Sequence, residues 1–102
     1  MISLISPSKA QRSIAQSIRE RRLLLELTQE GLSDRSGVPL ATLRKFEQKG
    51  VISLESLLKL LWVVGGLEEL TDALKPSIPK FTSIDEVLKN DSHKTGKRGR
   101  KK

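Results

Sequence analysis

The chain has 102 residues, 19 Lys/Arg against 12 Asp/Glu, one histidine, and no cysteine or tyrosine, which leaves room for one small domain with tails. Without cysteine there is no disulfide, thiolate metal site or cysteine nucleophile, and with His93 alone a zinc or histidine-based catalytic centre has to be built almost wholly from carboxylates. The net charge of +7 is unevenly placed: residues 1–91 hold 13 Lys/Arg and 12 Asp/Glu, whereas residues 92–102, SHKTGKRGRKK, hold six cations and no acid.

The N-terminal arm, residues 1–7, has no basic segment ahead of an apolar core, so no secretory signal is expected. Residues 8–27 are predicted to be a first helix, with Pro7 just ahead and Ser8 as N-cap. Ile14, Ile18 and Leu25 share its apolar face at spacings of four and seven. Thr28 caps a short second helix, Gln29 to Ser36, with Glu30 in its first turn. Gly37 ends that helix, and Pro39 can begin but not continue the next, Leu40 to Gln48. Lys49 and Gly50 close the third helix. Ser53 caps a fourth, Leu54 to Val64, whose longest apolar run (Leu57 to Val64, broken by Lys59) is too short to span a bilayer. A fifth, Leu67 to Leu74, stops ahead of Pro76. After it, PSIPKF is expected to be extended, and SIDE (Ser83 to Glu86) matches a capping box for one or two helical turns. The domain is thus placed at 8–75, a C-terminal extension at 76–90 and a basic disordered tail at 91–102.

The stretch TQEGLSDRSGVPLATLRKFEQKG, residues 28 to 50, has the constellation of two short helices crossing at a tight turn. Ser33 is small at the crossing, Gly37 makes the turn, Val38 follows it, and Leu43 and Phe46 line the buried side of the third helix. Ala41, Arg44, Lys45 and Gln48 then share the opposite side, two cations and an amide behind a small residue, which suits a DNA major groove. Glu47 falls on the flank of the buried side, where an unpaired carboxylate is costly. Arg22 falls at the matching edge of the first helix, so a bidentate Arg22–Glu47 pair is expected; two independent solvated charges are the alternative. The fourth helix has more apolar surface than one face can bury. Leu54, Leu57, Leu58 and Leu61 share a face, while Leu60, Trp62 and Val63 point elsewhere. A homodimer interface through Trp62, Val63 and Leu67 is therefore expected, with a larger internal core as the alternative.

IRERRLLLELTQEGLSDRSGVPLATLRKFEQKGVISLESLLKLLWVVG, residues 18 to 65, resembles the Cro/C1-type (XRE) helix-turn-helix domain of phage repressors. The resemblance implies an all-α, five-helix lambda-repressor-like domain followed by the short extension and basic tail. It implies that Gln29 clamps a phosphate and that Leu40, Ala41, Thr42, Arg44 and Lys45 enter the major groove, with Gln48 and Lys49 beside them. It also matches the Arg22–Glu47 pair to a family feature. The chain departs from the family at Pro39, where Ser or Thr usually caps the reading helix, and at Leu40, where a polar reader is usual. Leu40, Ala41 and the Thr42 methyl suit thymine methyl groups, or Leu40 folds under into the core.

The extension and the closing GKRGRKK are similar to HipB-like antitoxins. That resemblance implies a homodimer that represses its own operon at a palindromic operator and holds a HipA-type kinase toxin. Lys97, Arg98, Arg100 and Lys101 are then candidates for tail contacts to phosphates or a minor groove; a solubilising tail is the alternative. The expected function is a dimeric repressor acting on double-stranded DNA in the cytoplasm, associated with the nucleoid through its operator. The alternatives are a free-standing or phage-type regulator and a protein-interaction adaptor. No enzyme activity, cofactor, metal or membrane partner is expected, and no glycine-rich phosphate loop is present.

Overall fold

The structure, a computed structural model, describes residues 4–76. The chain runs α1 (Pro7–Leu24), α2 (Gln29–Ser36), α3 (Leu40–Lys49), α4 (Leu54–Val64) and α5 (Leu67–Ala73), with no strand among the described residues. The predicted all-α, five-helix architecture is the one observed. The extension from residue 77 and the basic tail lie outside the described residues.

Local chemistry sets the boundaries. Ser6 caps α1 in place of Ser8, its hydroxyl accepting from the Lys9 amide at 3.1 Å, with Pro7 in the first turn. The helix also stops at Leu24, three residues before the expected end. The Leu25 amide donates back to the Arg21 and Arg22 carbonyls, and Glu26 then reverses the chain at φ 59°. Glu26 is the one non-glycine residue at positive φ among those described. Thr28 and Ser53 cap α2 and α4 through the Gly31 and Ser56 amides, at 2.9 and 3.1 Å. Gly37 and Gly50 end α2 and α3 in the left-handed region, at φ 81° and 77°.

The core joins Ala15 and Ile18 of α1, Leu32 of α2, Val38 of the turn, Leu43 and Phe46 of α3, and Leu60, Leu61 and Val64 of α4. Two predicted faces are rotated from expectation. On α1, Ile18 is buried as predicted, but Ala15 and Arg22 point inward beside it, Ile14 is 41% exposed, and Leu25, just past the helix end, is 51% exposed. A buried face centred on Ala15, Ile18 and Arg22 turns Ile14 outward. On α4, Leu60 is fully buried and Leu54 is 66% exposed. That helix packs against both α1 and α2, so its buried arc is set by two neighbours rather than by the widest leucine stripe.

Candidate nucleic-acid interface

The turn between α2 and α3 is fixed from both sides. The Ser33 hydroxyl donates to the Val38 carbonyl at 2.6 Å, and the Val38 amide donates to the buried Ser36 hydroxyl at 3.1 Å. With Val38 itself 1% exposed, the angle at which α3 leaves α2 is held by hydrogen bonds and by packing.

The two sides of α3 differ sharply. Leu43 and Phe46 are buried, while Ala41, Arg44, Lys45, Gln48 and Lys49 are exposed and Leu40 and Thr42 are half-buried. The outer surface therefore offers three cations and an amide around a small apolar start. Leu40 takes an intermediate position, retaining surface while leaning on the domain. Pro39 occupies the N-cap and no side chain caps the helix start.

Beneath this surface lies a buried ion pair. Arg22 Nε donates to Glu47 Oε2 at 2.8 Å and Nη2 donates to Oε1 at 3.0 Å, while Nη1 donates to the Leu27 carbonyl at 2.8 Å. The two side chains are 8% and 4% exposed. Charges so far out of water need good geometry and saturated hydrogen bonding to be tolerated. Both are present: no buried side-chain nitrogen or oxygen lacks a partner among the described residues. Glu47 Oε1 also accepts from Gln29 Nε2 at 3.0 Å, and Arg19 Nε stands 4.0 Å from the same oxygen. The Glu47 carboxylate thus ties α1 and the start of α2 to α3, and Arg22 adds the α1–α2 turn.

Sequence reasoning placed Arg22 against Glu47 and missed that Gln29 joins them. It gave Gln29 a phosphate, whereas its amide nitrogen is directed at Glu47. It also missed the contact of Arg44 Nη2 with Glu30 Oε2 at 3.9 Å, an exposed pair. The acid in the first turn of α2 was the available signal. Exposed pairs of this kind contribute only about 0–1 kcal/mol, so Arg44 is easily exchanged onto another anion.

Of the residues expected at a dimer interface, Trp62 is 73% exposed, while Val63 and Leu67 are half-buried against the core. Trp62 and Leu67 line one surface concavity with Leu61, Gly65, Gly66, Glu68 and Glu69. The tail candidates Lys97, Arg98, Arg100 and Lys101 lie outside the described residues. Among the described residues, no cluster of His, Cys, Asp or Glu is arranged to hold a metal, and no helix is long and apolar enough to cross a membrane.

A helix-turn-helix family model matches residues 18–61, from Ile18 in α1 to Leu61 in α4. The matched segment contains the Arg22–Glu47 pair, the fixed turn and the whole of α3. It supports the Cro/C1 (XRE-type) helix-turn-helix class and a DNA-binding transcription regulator, generally a non-enzymatic domain. No curated protein and no solved structure gives a significant match.

Proposed function

We propose that the protein is a dimeric, sequence-specific repressor that lays α3 in the major groove of a palindromic operator and blocks transcription by occupying it. The observation that carries this reading is the two-sidedness of α3. Leu43 and Phe46 anchor the helix, Glu47 fixes it to α1, and Ala41, Arg44, Lys45 and Gln48 are left exposed. Arg44 and Lys45 are suited to guanine and phosphate, and the apolar start at Leu40, Ala41 and Thr42 to thymine methyls. Lys49 lies beside them for the backbone. Gln29 retains its carbonyl oxygen and one N–H for solvent or phosphate. The exposed Trp62, flanked by Leu67, supports pairing with a second copy, which sets two reading helices about 34–36 Å apart. Within this reading, the narrower role is the antitoxin of a HipA-type kinase module in the cytoplasm. Its support is the likeness of the extension and the basic ending to HipB-like antitoxins.

The test is fluorescence anisotropy of the protein with its own upstream DNA and with a shuffled control. Arg44→Ala or Lys45→Ala is expected to weaken binding to the upstream DNA by about 1–3 kcal/mol where either reads a base, and to leave the shuffled DNA much less affected. An equal loss on both DNAs makes the residue a phosphate contact. Equal, steeply salt-dependent binding of the unmodified protein to both DNAs removes the repressor reading and leaves an adaptor role. For the narrower role, the readout is co-purification with the product of the neighbouring gene.

A further inference from the structure

Helices α1, α4 and α5 enclose an apolar groove of about 230 Å³, its walls including Ile14, Ile18, Leu57, Leu61 and Leu70. Ile14 remains 41% exposed on it. Arg21 and Glu69 also line the groove, and neither forms an ion pair with a described residue. The third wall is thinly supported. Helix α5 has seven residues and none of them is fully buried: Leu67 and Leu70 are half-buried against the core, and Leu74 just past its end is 75% exposed. A helix of that length is marginal in water without apolar cover.

The sequence that follows α5 has the composition to supply such cover. Residues 76–90, PSIPKFTSIDEVLKN, carry Ile78, Phe81, Ile84, Val87 and Leu88. The last three are spaced three and four apart behind the Ser83–Glu86 capping box, the pattern of one apolar helical face. A solvated linker has no need of five large apolar side chains in fifteen residues. Reach is not limiting: from Ala73 to Phe81 is eight residues, up to about 26 Å extended, whereas α5 itself is only about 10 Å long. The segment also carries charges of both signs, Lys80 with Asp85 and Glu86, as the groove does in Arg21 and Glu69.

We propose that residues 78–88 fold back on their own chain and fill this groove, with Phe81 against Ile14 and Leu70, so that the extension completes the domain core. The groove is then occupied in cis, and the surface around Trp62 stays open to a second copy. The inference stands independently of any DNA-binding role.

The chain lacks cysteine, so Ser13→Cys places a single nitroxide label at the groove on the full-length protein. Amide NMR signals of residues 78–88 are expected to broaden within the labelled molecule. They should stay sharp when labelled, isotope-silent protein is mixed with unlabelled, isotope-visible protein. Broadening in the mixed sample means that the extension of a second copy fills the groove, and overturns the proposal. No broadening in either sample overturns it as well. As a measurement free of any label in the groove, Phe81→Ser in the unlabelled chain is expected to lower the melting temperature by several degrees. An unchanged melting temperature shows that Phe81 is solvated and also rejects the proposal.

Discussion

Both oxygens of Glu47 are occupied by groups from other elements, and this makes its removal different from removal of a surface charge. Glu47→Ala leaves the Arg22 guanidinium buried and without its counter-ion, and is expected to cost about 3–5 kcal/mol in urea unfolding. Replacing both partners together, Arg22→Met with Glu47→Leu, is expected to be neutral or stabilising by up to about 4 kcal/mol. If the double replacement is as damaging as the single one, the pair itself is a net source of stability. The same double replacement releases Gln29, so a fall in operator affinity at unchanged stability assigns the network to orientation. The pair was legible in the sequence because each charge fell at the edge of an apolar face, where only a partner makes it tolerable. The position of Gln29 was not legible, because it depends on where α2 begins relative to α3. Glu26 is a second residue-scale case: at φ 59° it sits where an L-residue is strained. Glu26→Gly is expected to raise stability by about 0.5–1 kcal/mol by urea titration, the strain relief exceeding the added chain entropy.

At the scale of the element, the short helices were easier to place than the long one. α2 and α4 are bounded by side-chain caps and glycines whose chemistry is local, and their predicted limits coincide with the observed ones. The end of α1 carries no such marker, since a glutamate makes its reversal, and the periodic leucines beyond it invited an extension to Leu27. The two rotated faces share a different cause. Counting apolar residues finds the widest stripe, whereas the buried stripe is decided by which neighbours approach and how closely. Gly50 shows such closeness: a Cβ there falls 3.0 Å from the Gln11 backbone, and the Gly50 carbonyl accepts from the Gln11 amide side chain at 3.1 Å. Gly37 has nearly the same φ but open space around it. Gly37→Ala should therefore carry only the backbone cost, roughly 1–3 kcal/mol. Gly50→Ala should carry overpacking against α1 as well, of similar size. Thermal unfolding of the two variants separates the terms, and equal losses show that α1 yields without resistance.

Along the whole chain, the charge excess falls in residues 92–102 and the exposed Trp62 in α4, and the predicted effects separate accordingly. On the proposed dimeric reading, Trp62→Lys is expected to shift the protein toward monomer in analytical ultracentrifugation and to weaken DNA binding without altering which DNA is preferred. A variant that stays dimeric places the interface elsewhere. Deleting residues 92–102 removes six cations and is expected to flatten the salt dependence of DNA binding by up to about 0.9 of a log unit per lost phosphate contact. An unchanged slope means the tail does not touch DNA in the complex. The two-sided α3 also bears on how such a protein can change. Its attachment to the domain rests on Leu43, Phe46 and Glu47, to which the exposed Arg44 adds only its weak, solvent-exposed contact with Glu30. Ala41, Arg44, Lys45 and Gln48 can therefore be exchanged as a set while folding is left intact. On the proposed repressor role, new operator preferences are then reachable by mutation without passing through unfolded intermediates, and copies of such a domain can diverge in target while keeping the same scaffold.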